Sequence, residues 1–452
     1  MTQNISLQQQ FPPGPNTSSL RNVIKWASDP ITFLEQSTQK YGDLFSLKLY
    51  KGKTYVFTSN PEIIQEIFSK DINNFDAGRG NQALLPLVGQ YSTLLIDGKL
   101  HSRQRKLIFP PFHGEKIRNY GEKMAEITEN VAKQWKSGEL FDLRSSMQEI
   151  TLEIIMQTVF GISEFERKEQ LKSRLVNTLE LVLSSVLRSM LLFFPILHKD
   201  FPGSPWRTFV RNKKMINELL QEEIEERRNR VEKDDNTIIS LLMLARDEDG
   251  NPMSDEELRD QLMTLLLAGH ETTATALTWA FYWIHYFPEI RSKLLAELEE
   301  ISDPSDIQAL NKLPYLDAVC NETLRIYPVT IITSPRITKT TTKIGDYEYP
   351  PETFLAPCMY LLHHREDLYP NSQEFQPERF LNRTFKQYEF MPFGGGNRRC
   401  IGDAFAPMEL KIILATVLKN YQLALVDKQV TKPVRRGITL APNRSIKMKV
   451  EG

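Results

Sequence analysis

Apolar and polar positions follow two rhythms along the chain, one of period two and one near 3.6. At residues 44–49, Phe45, Leu47 and Leu49 alternate with Ser46 and Lys48. Tyr55 to Phe57 follow a Lys51-Gly52 turn, which predicts a hairpin. Asn60-Pro61 then opens a short helix, with a capping side chain ahead of a proline at the first helical position. From residue 123 to about 230 the spacing is helical, in amphipathic segments broken at Gly161 and at Phe201-Pro202-Gly203-Ser204-Pro205-Trp206. Ser254-Asp255-Glu256-Glu257 is a capping box, and the helix it opens runs to about Phe287, ahead of Pro288. Apolar nearly all round, this helix is predicted to be a buried rod of about 50 Å at 1.5 Å per residue. His270 and Glu271 interrupt its apolar run, which leaves fewer than about 18 residues on either side and argues against a membrane span. Leu313-Pro314 opens a further helix with Leu316, Val319, Cys320, Leu324 and Tyr327 on one face. Periodicity places its Glu322 and Arg325 off that stripe, as an exposed ion pair. A last helix is expected over residues 402–419, with Ala404, Phe405, Met408, Leu410, Ile412, Ile413 and Val417 as its apolar positions. The fold class is therefore mainly α with a small β-rich part.

Between these elements lie stretches where the pattern fails. Residues 75–92 are glycine-rich and non-periodic, a loop with an apolar tip at 83–88. Residues 98–107 form a short helix with His101 and Arg105 on one face and Lys99, Arg103 and Lys106 on the other. The second face reads as a solvated basic stripe that would also suit an acidic partner. Residues 175–197 are unusually apolar, including Leu181, Val186, Leu187, Met190 and Phe193, and Arg188 within them reads as a surface residue. Residues 393–402 lead to Cys400 through Gly394, Gly395 and Gly396, which allow positive φ and close approach to a flat group. The amide dipoles of the following helix are expected to lower the Cys400 pKa.

Composition narrows the classes. Of 452 residues 41% are hydrophobic and 25% charged, and the net charge of -1 offers no basic excess for nucleic acid. Three cysteines, Cys320, Cys358 and Cys400, are too few for a disulfide framework and fit a reducing, cytoplasmic setting. The ten residues before Phe11-Pro12-Pro13-Gly14-Pro15 are polar, which gives no signal peptide or anchor. We expect residues 1–15 to be a polar segment with a stiff proline-rich entry, and 16–452 to be one domain.

Phe393, Gly396, Arg398, Cys400 and Gly402 match F-x-x-G-x-R-x-C-x-G, and Ala406 and Glu409 extend the match. Ala268-Gly269-His270-Glu271-Thr272-Thr273 matches [AG]-G-x-[DE]-T-[ST]. Glu322 and Arg325 form an E-x-x-R pair, and Pro377-Glu378-Arg379-Phe380 follows. Together these resemble the cytochromes P450, especially soluble bacterial and cyanobacterial ones. The resemblance implies haem b on Cys400 as its axial ligand, framed by Phe393, Gly402 and Ala406. His101, Arg105, Arg336 and Arg398 would bind the propionates. Ala268 and Gly269 would leave room for O2, and Thr272 and Glu271 would deliver protons. Against the periodicity reading, it implies that Glu322, Arg325 and Arg379 form a buried brace behind the cysteine loop. Residues 329–335 and 438–441 would line the pocket, and residues 175–197 would roof it. The implied reaction is hydroxylation of a lipophilic small molecule, fatty acid or terpenoid-like. Because the chain ends soon after the haem region, electrons would come from a separate ferredoxin-type donor and its reductase. A peroxide-driven peroxygenase and a non-catalytic haem-thiolate sensor are the alternatives.

Overall fold

The long helix Asp255–Tyr286 is the element on which the others pack. The computed structural model describes residues 11–49, 52–114, 117, 120–162, 164–229 and 237–451. Met1 to Gln10, Lys51 and Arg230 lie outside the described residues, as do the side chains of Val186, Leu187 and Phe193. The capping box is present: Ser254 Oγ accepts the Glu257 N–H at 3.1 Å and Glu257 Oε2 accepts the Ser254 N–H at 2.8 Å. At the other end Phe287 has extended backbone, as the residue before a proline should. Helices Leu143–Ile155, Pro205–Asn229, Pro314–Ile326 and Phe405–Asn420 pack against it around one large apolar core.

A smaller β-rich region holds its own cores. Its main sheet orders Leu44–Lys48, Thr54–Thr58, Phe354–Pro357, Arg336–Thr338 and Phe75–Asp76. Leu44–Lys48 and Thr54–Thr58 form the expected antiparallel hairpin, and Thr54–Thr58 pairs parallel with Phe354–Pro357. The proline-rich entry docks on this hairpin, with Ser46 donating its N–H to Pro13 O and its hydroxyl to Pro12 O. A Cβ at Gly14 would lie 1.9 Å from Ser46 O, so only glycine fits there.

Three expectations need correction. Residues 75–92 are not a bare loop: they hold a strand, a 3-10 helix Gly78–Leu84 and the turn Leu85–Val88, whose Leu87 and Val88 are buried. The apolar tip is ordered because it packs into the core. The basic stripe is largely neutralised. Arg103 pairs with Asp247 and Glu257 at 2.6 and 2.9 Å, and Lys106 with Glu248 at 2.6 Å. The helix expected from Gly402 starts at Phe405, after a turn over residues 401–404. The Glu322–Arg325 pair is buried, as the resemblance implied: both side chains are 0% exposed. Periodicity alone misled there because Arg379 and carbonyls of residues 363–374 cover that face of the helix. As expected, Arg188 is exposed, bonding only within its own helical region to Glu180 O and Ser184 Oγ.

Candidate active site

The cysteine loop is shaped by two left-handed glycines. Gly394 and Gly396 have φ of 69° and 67°, whereas Gly395 is extended and lies flat on the Phe68 ring. This loop carries Cys400, whose N–H donates to Phe393 O at 3.0 Å. Cys400 is the exposed member of the three cysteines; Cys320 and Cys358 are buried. Although the residue is exposed, the surroundings of its sulfur are dense enough that burial pushes the thiol pKa up. The Gly402 N–H and the Arg105 and Arg399 guanidiniums oppose that rise, while Asp403 adds to it. The expected lowering by helix dipoles is therefore not met, since the helix starts beyond Gly402 and desolvation is the larger influence. Phe393, Gly402 and Ala406 are all half-buried beside the loop, and the Ala406 N–H donates to Gly402 O at 2.9 Å.

Beside the loop, cationic side chains converge on one imidazole. Burial pushes His101 down to about 3, with Arg398, Arg105 and Arg336 lowering it further and Asp97 opposing them. Side chains from three separate segments of the chain thus share one neighbourhood. Their donors are not equally committed. Arg398 donates to Thr93 O at 2.7 Å, to Ile96 O and to Asp97 Oδ1 at 2.6 Å, so it also staples the loop to residues 93–97. Arg336 is buried over the Phe68 ring and donates to Ser334 O and Gly395 O. By contrast, the half-buried Arg105 guanidinium lies 5.8 Å over the Phe109 ring and has no hydrogen bond or ion pair among the described residues. The His101 ring nitrogens likewise find no partner among them. A buried cation without an anion is costly, so this corner is built to receive one.

In the middle of the long helix the burial pattern breaks. Ala268 is exposed and Gly269 and Thr272 are half-buried, whereas nearly all their neighbours from Leu258 to His285 are buried. Thr272 Oγ1 donates back to Ala268 O, in the i−4 manner that perturbs a helix. A Cβ on Gly269 would lie 2.7 Å from Ile155 Cδ1, so this glycine admits the neighbouring helix rather than clearing space on the open face. Glu271 is buried and held by Arg144 and by Gln148 at 2.9 Å, and Arg144 also reaches Thr275. Its neighbour His270 bonds Thr151 Oγ1 at 3.1 Å, and burial holds its pKa down to about 4.

Behind the loop stands a buried brace. Glu322 accepts from Arg325 Nε and Nη2 at 2.7 and 2.8 Å, from Arg379 Nε at 3.1 Å and from the Gln376 N–H at 2.8 Å. Arg325 donates onward to the carbonyls of His363, Ser372 and Glu374. This is the triad that the E-x-x-R and Pro-Glu-Arg-Phe segments implied.

The family model for cytochrome P450 matches residues 12–450. This chain belongs to the cytochrome P450 family. It is 33% identical to the Mycobacterium tuberculosis protein provisionally named cytochrome P450 135B1, over 97% of this chain and 91% of that one. It is 32% identical to the protein of that species provisionally named cytochrome P450 135A1, over 98% and 96%. Among solved structures, the retinoic acid-bound cyanobacterial CYP120A1 superposes with a TM-score of 0.83 at 22% identity, covering 98% of this chain and 99% of that one. The cytochrome P450DA heme domain gives 0.84 at 22% identity and 97% coverage of both. The shared fold is thus the P450 fold, and family membership makes this protein a haem-thiolate monooxygenase in general.

Haem fits the residues present. In this P450 an exposed thiol, two left-handed glycines, an exposed Ala268 and an unpaired Arg105 beside a partnerless His101 provide for a flat dianionic macrocycle with an axial sulfur. Sequence reasoning missed three residues that hold the site together. Asp97 accepts from the Ala77, Gly78 and Arg79 N–H groups and from Arg398. Arg144 and His363 gave no local signal at all. Among the described residues no helix is long and apolar enough to cross a membrane.

Proposed function

We propose that this P450 uses haem b to hydroxylate a lipophilic small molecule, a fatty acid or terpenoid-like compound, with electrons from a separate ferredoxin-type protein and its reductase. When bound, haem supplies the reduction of O2 and the insertion of one oxygen atom: RH + O2 + two electrons + two protons give ROH and water. Cys400 would hold the haem iron through its thiolate, with the Gly402 N–H directed at its sulfur. Arg105 and His101 take the propionates first, because their donors are uncommitted; Arg336 and Arg398 add positive charge while holding the loop. Thr272 Oγ1 keeps its lone pairs open while its proton rests on Ala268 O, so it can accept a proton and pass its own on. Glu271 supplies protons from the Arg144 side of the helix, and doing so requires its carboxylate to leave Arg144. The whole of residues 16–452 acts as one cytoplasmic catalytic domain.

The observation that carries this reading is the break in burial at Ala268 and Thr272, which places a hydroxyl on the open face of an otherwise buried helix. A peroxygenase or a sensor has no need of that hydroxyl beside an acid. The test is a spectral titration of the haem-loaded protein with palmitate, with retinoic acid, the ligand of the cyanobacterial neighbour, and with a cyclic terpene. The reading predicts a shift of the ferric haem towards high spin, and product that forms only when a reductase and ferredoxin are supplied. Silence from all three compounds, or turnover with peroxide alone, would overturn it.

A further inference from the structure

Helix Pro205–Asn229 and the amino-terminal part of the long helix flank an open cleft of about 420 Å³. Val210, Lys213, Lys214, Asn217, Glu218 and Gln221 line it from the first helix and Arg259 from the long helix. Lys213 Nζ, Asn217 Oδ1 and Arg259 Nε are buried without a hydrogen-bond partner. Such orphaned groups are rare and call for an explanation. Among the described residues no carboxylate forms an ion pair with Lys213 or Arg259. The nearby acids have other partners: Glu218, on the cleft wall, pairs with Lys214 beside it at 3.6 Å, Asp260 accepts the Tyr91 N–H at 3.0 Å and Glu256 accepts from Gln90 at 3.0 Å. Burial, with Arg259 against it, lowers the Lys213 pKa to about 8 although Asp260 pulls it up.

We propose that this cleft is a binding site for a phosphate-type oxyanion, separate from the haem site. Two facing cations take its oxygens, and the P–OH of a protonated phosphate donates to Asn217 Oδ1. The flexible lysine stem swings the ammonium from beneath the floor of the cleft onto the ligand. Because Lys213 and Arg259 sit on different helices, the anion ties helix Pro205–Asn229 to the helix that carries Ala268 and Thr272. Arg259 lies ten residues before Gly269, about 15 Å along the axis. The same chemistry is offered by free phosphate and by a phosphomonoester lipid headgroup, and the experiment separates them.

The haem-loaded protein is titrated calorimetrically with inorganic phosphate at constant ionic strength, and floated with phosphatidylcholine vesicles with and without phosphatidic acid. Lys213→Met and Arg259→Gln are carried in parallel. Lys213→Met removes a buried charge, so its thermal midpoint without phosphate is expected to equal or exceed that of the parent. Saturable phosphate binding that weakens at least tenfold in both variants supports the site with free phosphate as its source. Flotation that requires phosphatidic acid and is lost in both variants supports it with a headgroup. Absence of both, or binding that neither substitution changes, overturns the proposal.

Discussion

His363 Nε2 accepts the Met391 N–H at 3.1 Å, and through this bond the buried brace reaches the cysteine loop. The Met391 amide can only donate, so Nε2 is the bare nitrogen and Nδ1 carries the proton. Burial, together with Arg325, keeps the imidazole neutral by holding its pKa well below 6.5. The His363 carbonyl accepts Arg325 Nη1 at 2.7 Å, and Met391 O accepts the Gly394 N–H at 2.9 Å. Glu322, Arg325, His363, Met391 and Gly394 thus form one connected path. Removing Arg325 leaves Glu322 facing Arg379 alone in a dry site, which costs about 3–5 kcal/mol. Arg325→Ala is expected to purify without haem, read from the ratio of Soret to protein absorbance. An Arg325→Ala protein with full haem content would contradict the path.

Acid should weaken the fold through its histidines. Burial lowers His101 and His364 to about 3 and His270 and His285 to about 4, and holds His363 well below 6.5. Each folded value lies below the unfolded one of about 6.5. Their stabilisation is therefore complete above pH 6.5 and declines as the pH falls towards those values. Each costs up to about 1.4 kcal/mol per pH unit. The urea midpoint is expected to drop clearly between pH 7.5 and 5.5, and a constant midpoint would count against five neutral buried imidazoles.

Glu409 should act in the opposite sense. Burial pushes its carboxyl up to about 8 despite a hydrogen bond with Thr273 of the long helix, and Oε1 has no partner. Its folded value exceeds the unfolded one of about 4.5, so its cost grows as the pH rises from 4.5 to 8. Glu409→Gln is expected to stabilise the protein by an amount that increases with pH across that window, at about 1.4 kcal/mol per unit. Unfolding curves of parent and variant at pH 5 and 7.5 measure it; an equal difference at both would be the contrary result.

The uncommitted guanidinium of Arg105 should matter for cofactor retention more than for folding. Its loss removes a charge-assisted hydrogen bond of about 1.5–3 kcal/mol, or roughly ten- to hundredfold in haem affinity. Transfer of haem from Arg105→Ala to apomyoglobin is expected to be faster by that factor, with the apoprotein unfolding at an equal or higher urea concentration. An unchanged transfer rate would leave Arg105 without a role at the site.

What could be read in advance depended on whether a residue's partner was local. Ser254 and Glu257 cap a helix three residues apart, and the 44–58 hairpin closes on itself, so both were legible and both are present. The spacing around Cys400 was legible as a resemblance, but the sulfur's environment was not, because it depends on how far the helix start lies from Gly402 and on burial. Glu322 and Arg325 looked exposed by periodicity, since the carbonyls that cover them come from residues 363–374. Arg144 opposite Glu271 and Asp97 beneath Arg398 were illegible for the same reason. Sequence separation hid the partners of buried charges, while motif spacing revealed the charges themselves.

The account rests most directly on the sulfur of Cys400 as the haem ligand. The carbon-monoxide difference spectrum of the reduced protein measures it, with Cys400→Ser as control. The account predicts the red-shifted Soret band of thiolate coordination in the parent and its absence in the folded variant. A folded, haem-containing parent whose adduct lacks that band would contradict it.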